Sequence, residues 1–354
     1  MLDNRLRWPT LPVALLYLLN ASLFTAVYLQ STDEFARATL ADLTRFEAEI
    51  PFQHRMLLPA IVAGISVIAP VLSLEAVYAA LCLGAVLGLI LALRELCRSV
   101  LSPQLADVGP LLVLYPLLWN LCVLNRHYLP YDVPASLIFC TGLIGLLRGP
   151  IWLLWASLAL GALNRETILF LTLCYAAVSY GSTSLARIAA TCTLQLALVT
   201  SIKLTIAAIL PGGGSSGLFE LHLLTNAEAL TRISPASIRT SLVFGGLWLL
   251  VPLAWGSLPP QVRRLLWVIP PFLASIGLFG VPWETRIYNE LIPIVTLASL
   301  GAFRSPSVRT LTRTPGLSPA QVISGVRPEH EPGLKSATPS PLPLLPRLGK
   351  PTRR

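Results

Sequence analysis

The sequence predicts an all-α fold, a polytopic transmembrane helical bundle of about 10–11 hydrophobic helices. Three observations predict it. Of 354 residues, 54 % are hydrophobic and only 12 % charged, whereas soluble domains carry about 25 % charged residues; a soluble globular enzyme is therefore excluded. The mean hydropathy is +0.70. Apolar runs of about 15–25 residues recur from Leu11 to Phe303 and do not alternate polar with apolar, which excludes an outer-membrane barrel.

The first run, 11–29, follows Arg5 and Arg7 and is too long for a signal-peptide core, so it reads as an uncleaved first span. Further runs lie at 57–72, 75–93, 108–124, 133–147, 150–163, 167–181, 186–210, 240–257, 265–280 and 287–303. Several are shorter than the roughly 20 residues of a perpendicular helix, so tilted or broken helices are expected. Connections rich in Arg and poor in acid are the N-terminus, Arg94 and Arg98, Arg148, Arg187, Arg263–Arg264 and the tail. Connections carrying carboxylates lie at 30–56, 125–132, 164–166, 211–239 and 281–290. The positive-inside rule puts the first set, with both termini, in the cytoplasm and the second set outside, in a membrane read as the bacterial cytoplasmic (inner) membrane. That alternation requires 57–93 to cross once, with 57–72 short or re-entrant; Pro70 and the polar Ser73–Glu75 step divide it. The outer face then gathers most of the acidic groups.

Two domains follow, a transmembrane domain over 1–303 and a tail over 304–354. The tail holds nine cations against two carboxylates, most of the net charge of +9. Rich in Pro and Ser and without periodicity, it reads as disordered, basic and cytoplasmic, suited to anionic lipid rather than nucleic acid. The six cysteines form neither a CxxC pair nor a His-spaced cluster and read as helix-packing residues.

Four polar motifs interrupt the apolar pattern. In the first outer loop, Asp33-Glu34 precedes helix formers and suggests an interfacial helix led by carboxylates; loop solvation is the plainer reading. His54-Arg55 then stands ahead of an apolar helix. The second, Arg126-His127-Tyr128-Leu129-Pro130-Tyr131-Asp132, ends on an Asp placed to cap a helix. In the third, Asn164-Arg165-Glu166 breaks the run from Ile151 to Tyr180. A lone Arg at mid-bilayer costs roughly 2.5–3.5 kcal/mol, so this pair is either self-neutralising or lines a wet cavity. The fourth, Glu284-Thr285-Arg286 through Glu290, places Arg286 and Glu290 four apart, the spacing of an intrahelical ion pair. Between the last two motifs, Gly212–Gly217 is a linker lacking a phosphate-loop pattern, and Phe219, Leu223, Ala227 and Leu230 suggest an amphipathic surface helix.

Taken in order, these elements resemble the GT-C superfamily of polytopic glycosyltransferases, including protein O-mannosyltransferases and lipid A aminoarabinose transferases. Asp33-Glu34 matches the acidic pair, and His54-Arg55 through Pro59 matches the basic-before-proline element. Arg94 to Arg98 matches the inner basic end, Asp132 the second acidic position, and Asn164-Arg165-Glu166 the later polar group. The chain is also similar to uncharacterised bacterial multi-pass proteins with RxLxP, YD, NRET and ExR signatures. The resemblance implies transfer of a sugar from a polyprenyl-phosphate donor to an acceptor at the outer face. It implies Asp33, Glu34 and Asp132 as catalytic carboxylates and His54, Arg55, Arg165 and Arg286 as ligands of the donor phosphate, with support from Arg126, His127, Tyr131, Asn164, Glu166, Glu284 and Glu290. A divalent cation bridging carboxylate and phosphate fits this chemistry, but no ligand spacing demands a metal. The same charges also suit a transporter or lipid flippase, or a non-catalytic membrane protein.

Overall fold

The computed structural model describes residues 8–210, 221–231 and 235–303. The N-terminal arginines, the glycine run, Phe219 and the predicted 304–354 tail lie outside the described residues, as does the Leu230 side chain. The described chain is almost wholly helical. In order it forms α1 (Leu11–Ser31), β1 (Asp33–Glu34), α2 (Leu40–Arg45), α3 (Leu57–Ile68), α4 (Leu74–Arg98) and α5 (Pro103–Val123). There follow β2 (His127–Tyr128), α6 (Asp132–Arg148), α7 (Ile151–Asn164), α8 (Glu166–Ser179) and α9 (Leu185–Ile209). After α10 (Leu223–Thr231) and α11 (Pro235–Ser241) come α12 (Val243–Ser257) and α13 (Pro260–Phe279). A 3-10 turn (Thr285–Leu291) leads into α14 (Ile292–Leu300).

Five of these helices (α1, α4, α5, α9 and α13) are long and apolar enough to cross a membrane, compatible with a multi-pass membrane protein. Fewer than the predicted 10–11 hydrophobic helices are of full crossing length, in line with the short runs of the sequence. The runs at 57–72, 150–163, 167–181 and 240–257 form the shorter helices α3, α7, α8 and α12. Breaks fall at special residues: Gly149 has φ +105°, and Phe244, Gly245 and Gly246 all have positive φ. In α5, Pro110 and Pro116 remove backbone donors, and the helix passes through 3-10 and π turns.

The bundle has two chemically different ends. At one, Arg148 donates to Glu95 Oε2 at 2.6 Å, Arg98 to Glu95 Oε1 at 3.0 Å and Arg94 Nε to Asp107 at 2.8 Å. These bonds lace together the C-termini of α4 and α6 and the start of α5. Tyr17 of α1 reaches the same end, donating to the Asp107 carbonyl at 2.5 Å. At the other end the Tyr28 hydroxyl meets the N–H of Leu129 at 3.3 Å, just ahead of Asp132. Both flanks of α3 lie at this acidic end, because Arg55 stacks on Tyr131 and Glu75 lines a groove with Thr32, Glu34 and Tyr128. Residues 57–73 therefore go out and come back, as a short or re-entrant segment must.

The first loop differs from its sequence reading. Asp33 and Glu34 form a two-residue strand paired in parallel with His127 and Tyr128, and do not open a helix. The Asp33 N–H is taken by the Arg126 carbonyl at 2.7 Å. The short helix α2 begins only at Leu40, whose N–H donates to Glu34 Oε1 at 2.6 Å. Thr39 caps it, accepting from the Asp42 N–H at 3.1 Å, and its hydroxyl with Arg45 holds the Asp42 carboxyl below the usual carboxylate range. In α10, Leu223 and Leu224 are exposed and Asn226 is buried. Its amide donates to the carbonyls of Gly277 and Gly280 at 2.9 and 2.8 Å, satisfying the C-terminus of α13.

Lipid tails are as apolar as leucine, so helices in a bilayer associate by close packing rather than by the hydrophobic effect. Gly161 serves this at the α7–α8 turn that sets Arg165: a Cβ there would come within 2.2 Å of Ile168 Cγ1. Gly84, mid-α4, has nothing within 4 Å of a Cβ. Thermal unfolding in detergent should therefore separate two identical changes. Gly84→Ala is expected to stabilise by up to about 1 kcal/mol through helix propensity, and Gly161→Ala to destabilise by about 1–3 kcal/mol through overpacking. Equal shifts would contradict the packing described.

Candidate functional site

At the acidic end four chain segments that are distant in sequence bring ionic side chains together. Asp132 is the first residue of α6, and its carboxylate is wholly buried. It caps nothing: Tyr131 occupies the cap position without a side-chain bond, and Asp132 faces Arg165 and Arg286 instead. Arg165 Nη1 lies 3.2 Å from Asp132 Oδ1, and Arg165 Nε lies 3.4 Å from Glu290 Oε1. Arg286 Nη1 lies 3.9 Å from Asp132 Oδ1, and Arg286 Nε donates to Glu284 at 2.6 Å. Thr167 adds a short hydrogen bond to Glu290.

Local backbone geometry decides these partners. Arg165 is extended (φ −153°, ψ 152°) between α7 and the 3-10 turn that starts α8. Consecutive side chains on extended backbone point opposite ways, so Arg165 and Glu166 do not neutralise each other. Arg165 turns inward to Asp132 and Glu290. Glu166 turns toward Lys203 of α9, whose Nζ donates at 2.8 Å, and toward Arg55, 4.0 Å away. The expected Arg286–Glu290 pair also fails, because Thr285–Leu291 is a 3-10 helix. With three residues per turn, positions four apart no longer share a face, and the two side chains serve different partners.

Arg55 is held by aromatic faces more than by charge. Its guanidinium carbon sits 4.5 Å from the Tyr131 ring centre and 5.2 Å from that of Phe52. Arg286 lies 5.9 Å from the same Phe52 ring, so two guanidinium groups flank one aromatic side chain. Both arginines are more than nine-tenths buried. Arg55 Nε and Nη1 and Arg286 Nη1 have no hydrogen-bond partner among the described residues, nor do Asp132 Oδ2, Glu290 Oε2 and the Tyr131 hydroxyl. An unmet buried donor or acceptor costs about 1–3 kcal/mol, more when charged. So many together mark a space built for water or for a polar ligand.

A neutral polar frame supports the cluster. Asn120 of α5 donates to Asn289 at 3.3 Å and accepts from the Phe244 N–H at 3.1 Å, and its carbonyl accepts from Thr285 at 2.8 Å. Ser136 donates to the Asn289 carbonyl at 2.9 Å, and Asn164 to the Tyr131 carbonyl at 3.0 Å. The tight approach of α12 needs Gly245, at φ +61°, where a Cβ would lie 2.6 Å from the Tyr115 ring.

The predicted site residues thus fall into two sets. Arg55, Tyr131, Asp132, Asn164, Arg165, Glu166, Glu284, Arg286 and Glu290 converge. Asp33, Arg126 and His127 are exposed on or beside the strand pair, and Glu34 Oε1 is engaged by α2. His54 is buried at the margin, its Nε2 3.2 Å from the Leu210 carbonyl at the end of α9. Phe35 links the sets, packing 5.3 Å from Phe52 and 4.8 Å from His127. Sequence reasoning missed Lys203, Phe52, Asn120 and Thr167; a lone Lys inside the 186–210 apolar run was a legible signal for the first. Among the described residues no group of three or more His, Cys, Asp and Glu side chains is placed to hold a metal.

Removing one member of a buried ion pair leaves the other uncompensated, at a cost of about 3–5 kcal/mol. Asp132→Asn and Arg165→Gln are each expected to destabilise the solubilised protein by that order, and the Asp132→Asn, Arg165→Gln double variant by less than the sum of the two. A double-mutant cycle on unfolding checks this, and strict additivity would contradict direct coupling. Comparison with known protein families, with curated proteins and with solved structures finds no match for this chain.

Proposed function

We propose that the acidic end is the active site of a membrane-embedded glycosyltransferase that uses a polyprenyl-phosphate-linked sugar. One observation carries this reading: Arg55 and Arg286 present buried guanidinium N–H groups without partners beside a buried carboxylate, Asp132, with one free oxygen. Guanidinium N–H groups left without a hydrogen bond suit phosphate oxygens, and fixed donors stabilise a developing phosphate charge without reorganising.

In this reading an acceptor hydroxyl attacks the anomeric carbon, and the bond from that carbon to the phosphate oxygen breaks. The hydroxyl proton passes to Asp132 Oδ2 as general base, and the polyprenyl phosphate leaves against Arg55 and Arg286. Arg165 holds the other oxygen of Asp132 and so orients the base. Asp33, exposed on the strand, is better placed to meet an arriving acceptor than to take its proton. The positive-inside pattern of the sequence supports an outward-facing position for this end.

The test uses proteoliposomes containing the full chain, a polyprenyl-phosphate sugar and a mixture of hydroxyl acceptors. The expected result is sugar transfer with release of polyprenyl phosphate, reduced at least 100-fold by Asp132→Asn, in line with loss of a general base. Turnover unchanged in that variant would overturn the reading, and movement of the lipid across the bilayer without a covalent product would favour a flippase instead.

A further inference from the structure

Glu166 is a carboxylate suspended between two cations that have little else to bind. Its Oε1 accepts from Lys203 Nζ at 2.8 Å, and its Oε2 lies 4.0 Å from Arg55 Nη2, beyond hydrogen-bond length. Its side chain is 40 % exposed, whereas those of Lys203 and Arg55 are 20 % and 9 % exposed. The anion is thus the accessible member of the trio and the cations form its socket. Arg55 keeps Nε and Nη1 unmatched even with Glu166 in place. The deeper carboxylates Asp132 and Glu290 already have Arg165, so the outer cations cannot draw on them.

We infer that Glu166 is an internal stand-in for the ligand's phosphate, and that Lys203 is a phosphate-binding residue of the same site. The incoming anion displaces the Glu166 carboxylate toward solvent and takes its place between Lys203 and Arg55. This deepens the proposed function and rests on its reading of Arg55 and Arg286 as an anion site. Charge decides the direction of the exchange. With Glu166 seated, Arg55 and Lys203 together are half neutralised; with it displaced, both charges face the phosphate. The anion is a lipid phosphate arriving from the side. Lys203 rides on α9, a helix with only 17 % of its membrane-length window buried. Leu194, Leu196, Leu204 and Ile209 are exposed along it, giving an isoprenoid chain an apolar flank beside the socket.

The two halves of one ion pair then have opposite effects, which no structural role produces. Binding of a fluorescent polyprenyl phosphate to the full chain in nanodiscs is the measurement, with the uncharged polyprenol and inorganic phosphate as the other arms. Glu166→Gln should tighten polyprenyl phosphate binding at least fivefold, and Lys203→Gln should weaken it at least fivefold. Glu166→Asp, too short to reach both cations, should tighten it in the same direction and serves if the Gln variant folds poorly by thermal melting. Inorganic phosphate should compete only at far higher concentration, and equal competition would overturn the lipid assignment. If Glu166→Gln and Lys203→Gln both weaken binding while Arg55→Gln abolishes it, the stand-in role is wrong and the anion site stands. If Arg55→Gln binds as wild type does, or the polyprenol binds equally well, both readings fail.

Discussion

A charge inside an apolar bundle must be paired, and this requirement organises the acidic end. Asp132, Arg165, Glu290 and Arg286 come from three separate helix junctions, and each is more than nine-tenths buried. Each junction is therefore committed to the others. The extended break at Arg165, the 3-10 turn at Thr285–Leu291 and the uncapped start of α6 are irregular backbone confined to one polar pocket. Irregular backbone at depth survives only where protein or water satisfies it, and the Asn120–Asn289–Ser136 frame supplies part of that satisfaction. The opposite end uses the same physics differently. There Glu95 and Asp107 bind Arg94, Arg98 and Arg148 at ordinary hydrogen-bond lengths, as a fastening does.

That contrast separates a candidate site from a staple. The acidic end leaves guanidinium donors and carboxylate oxygens unmatched while burying them deeply, a combination that stability alone would not favour. Local rules broken in this way are expected at functional sites. Arg55 and Arg286 both approach the Phe52 ring, which offers each cation a favourable partner. The apolar contacts of Phe35, Phe52 and Tyr131 also fix the first loop over the pocket, so the exposed strand with Asp33 and His127 stands at its rim.

Much of this was legible in the sequence, because apolar runs interrupted by charge are easy to see. The helices lie where the runs lie, and the interruptions at Asp132, Arg165 and Glu284–Glu290 mark the site. What periodicity could not give is which charge meets which. Arg165–Glu166 and Arg286–Glu290 look paired along the chain, yet an extended residue parts the first and a 3-10 turn the second. Asp33-Glu34 looked like a helix start because its tertiary strand partner, 94 positions away, is invisible to local propensity. Lys203 was passed over although a lone cation in an apolar run is a signal, because no neighbouring motif names its partner. Helix lengths were read closely at 150–163, which forms Ile151–Asn164, and too short at 75–93, which forms Leu74–Arg98.

The central claim is that the unmatched donors of Arg55 and Arg286 form a phosphate socket at the acidic end. A cryo-EM map of the chain in nanodiscs with polyprenyl phosphate tests it most directly. The account predicts phosphate density within hydrogen-bond distance of Arg55 Nε or Nη1 and of Arg286 Nη1, with the isoprenoid density running along α9. Those nitrogens found bonded to protein groups, with the phosphate elsewhere, would contradict it.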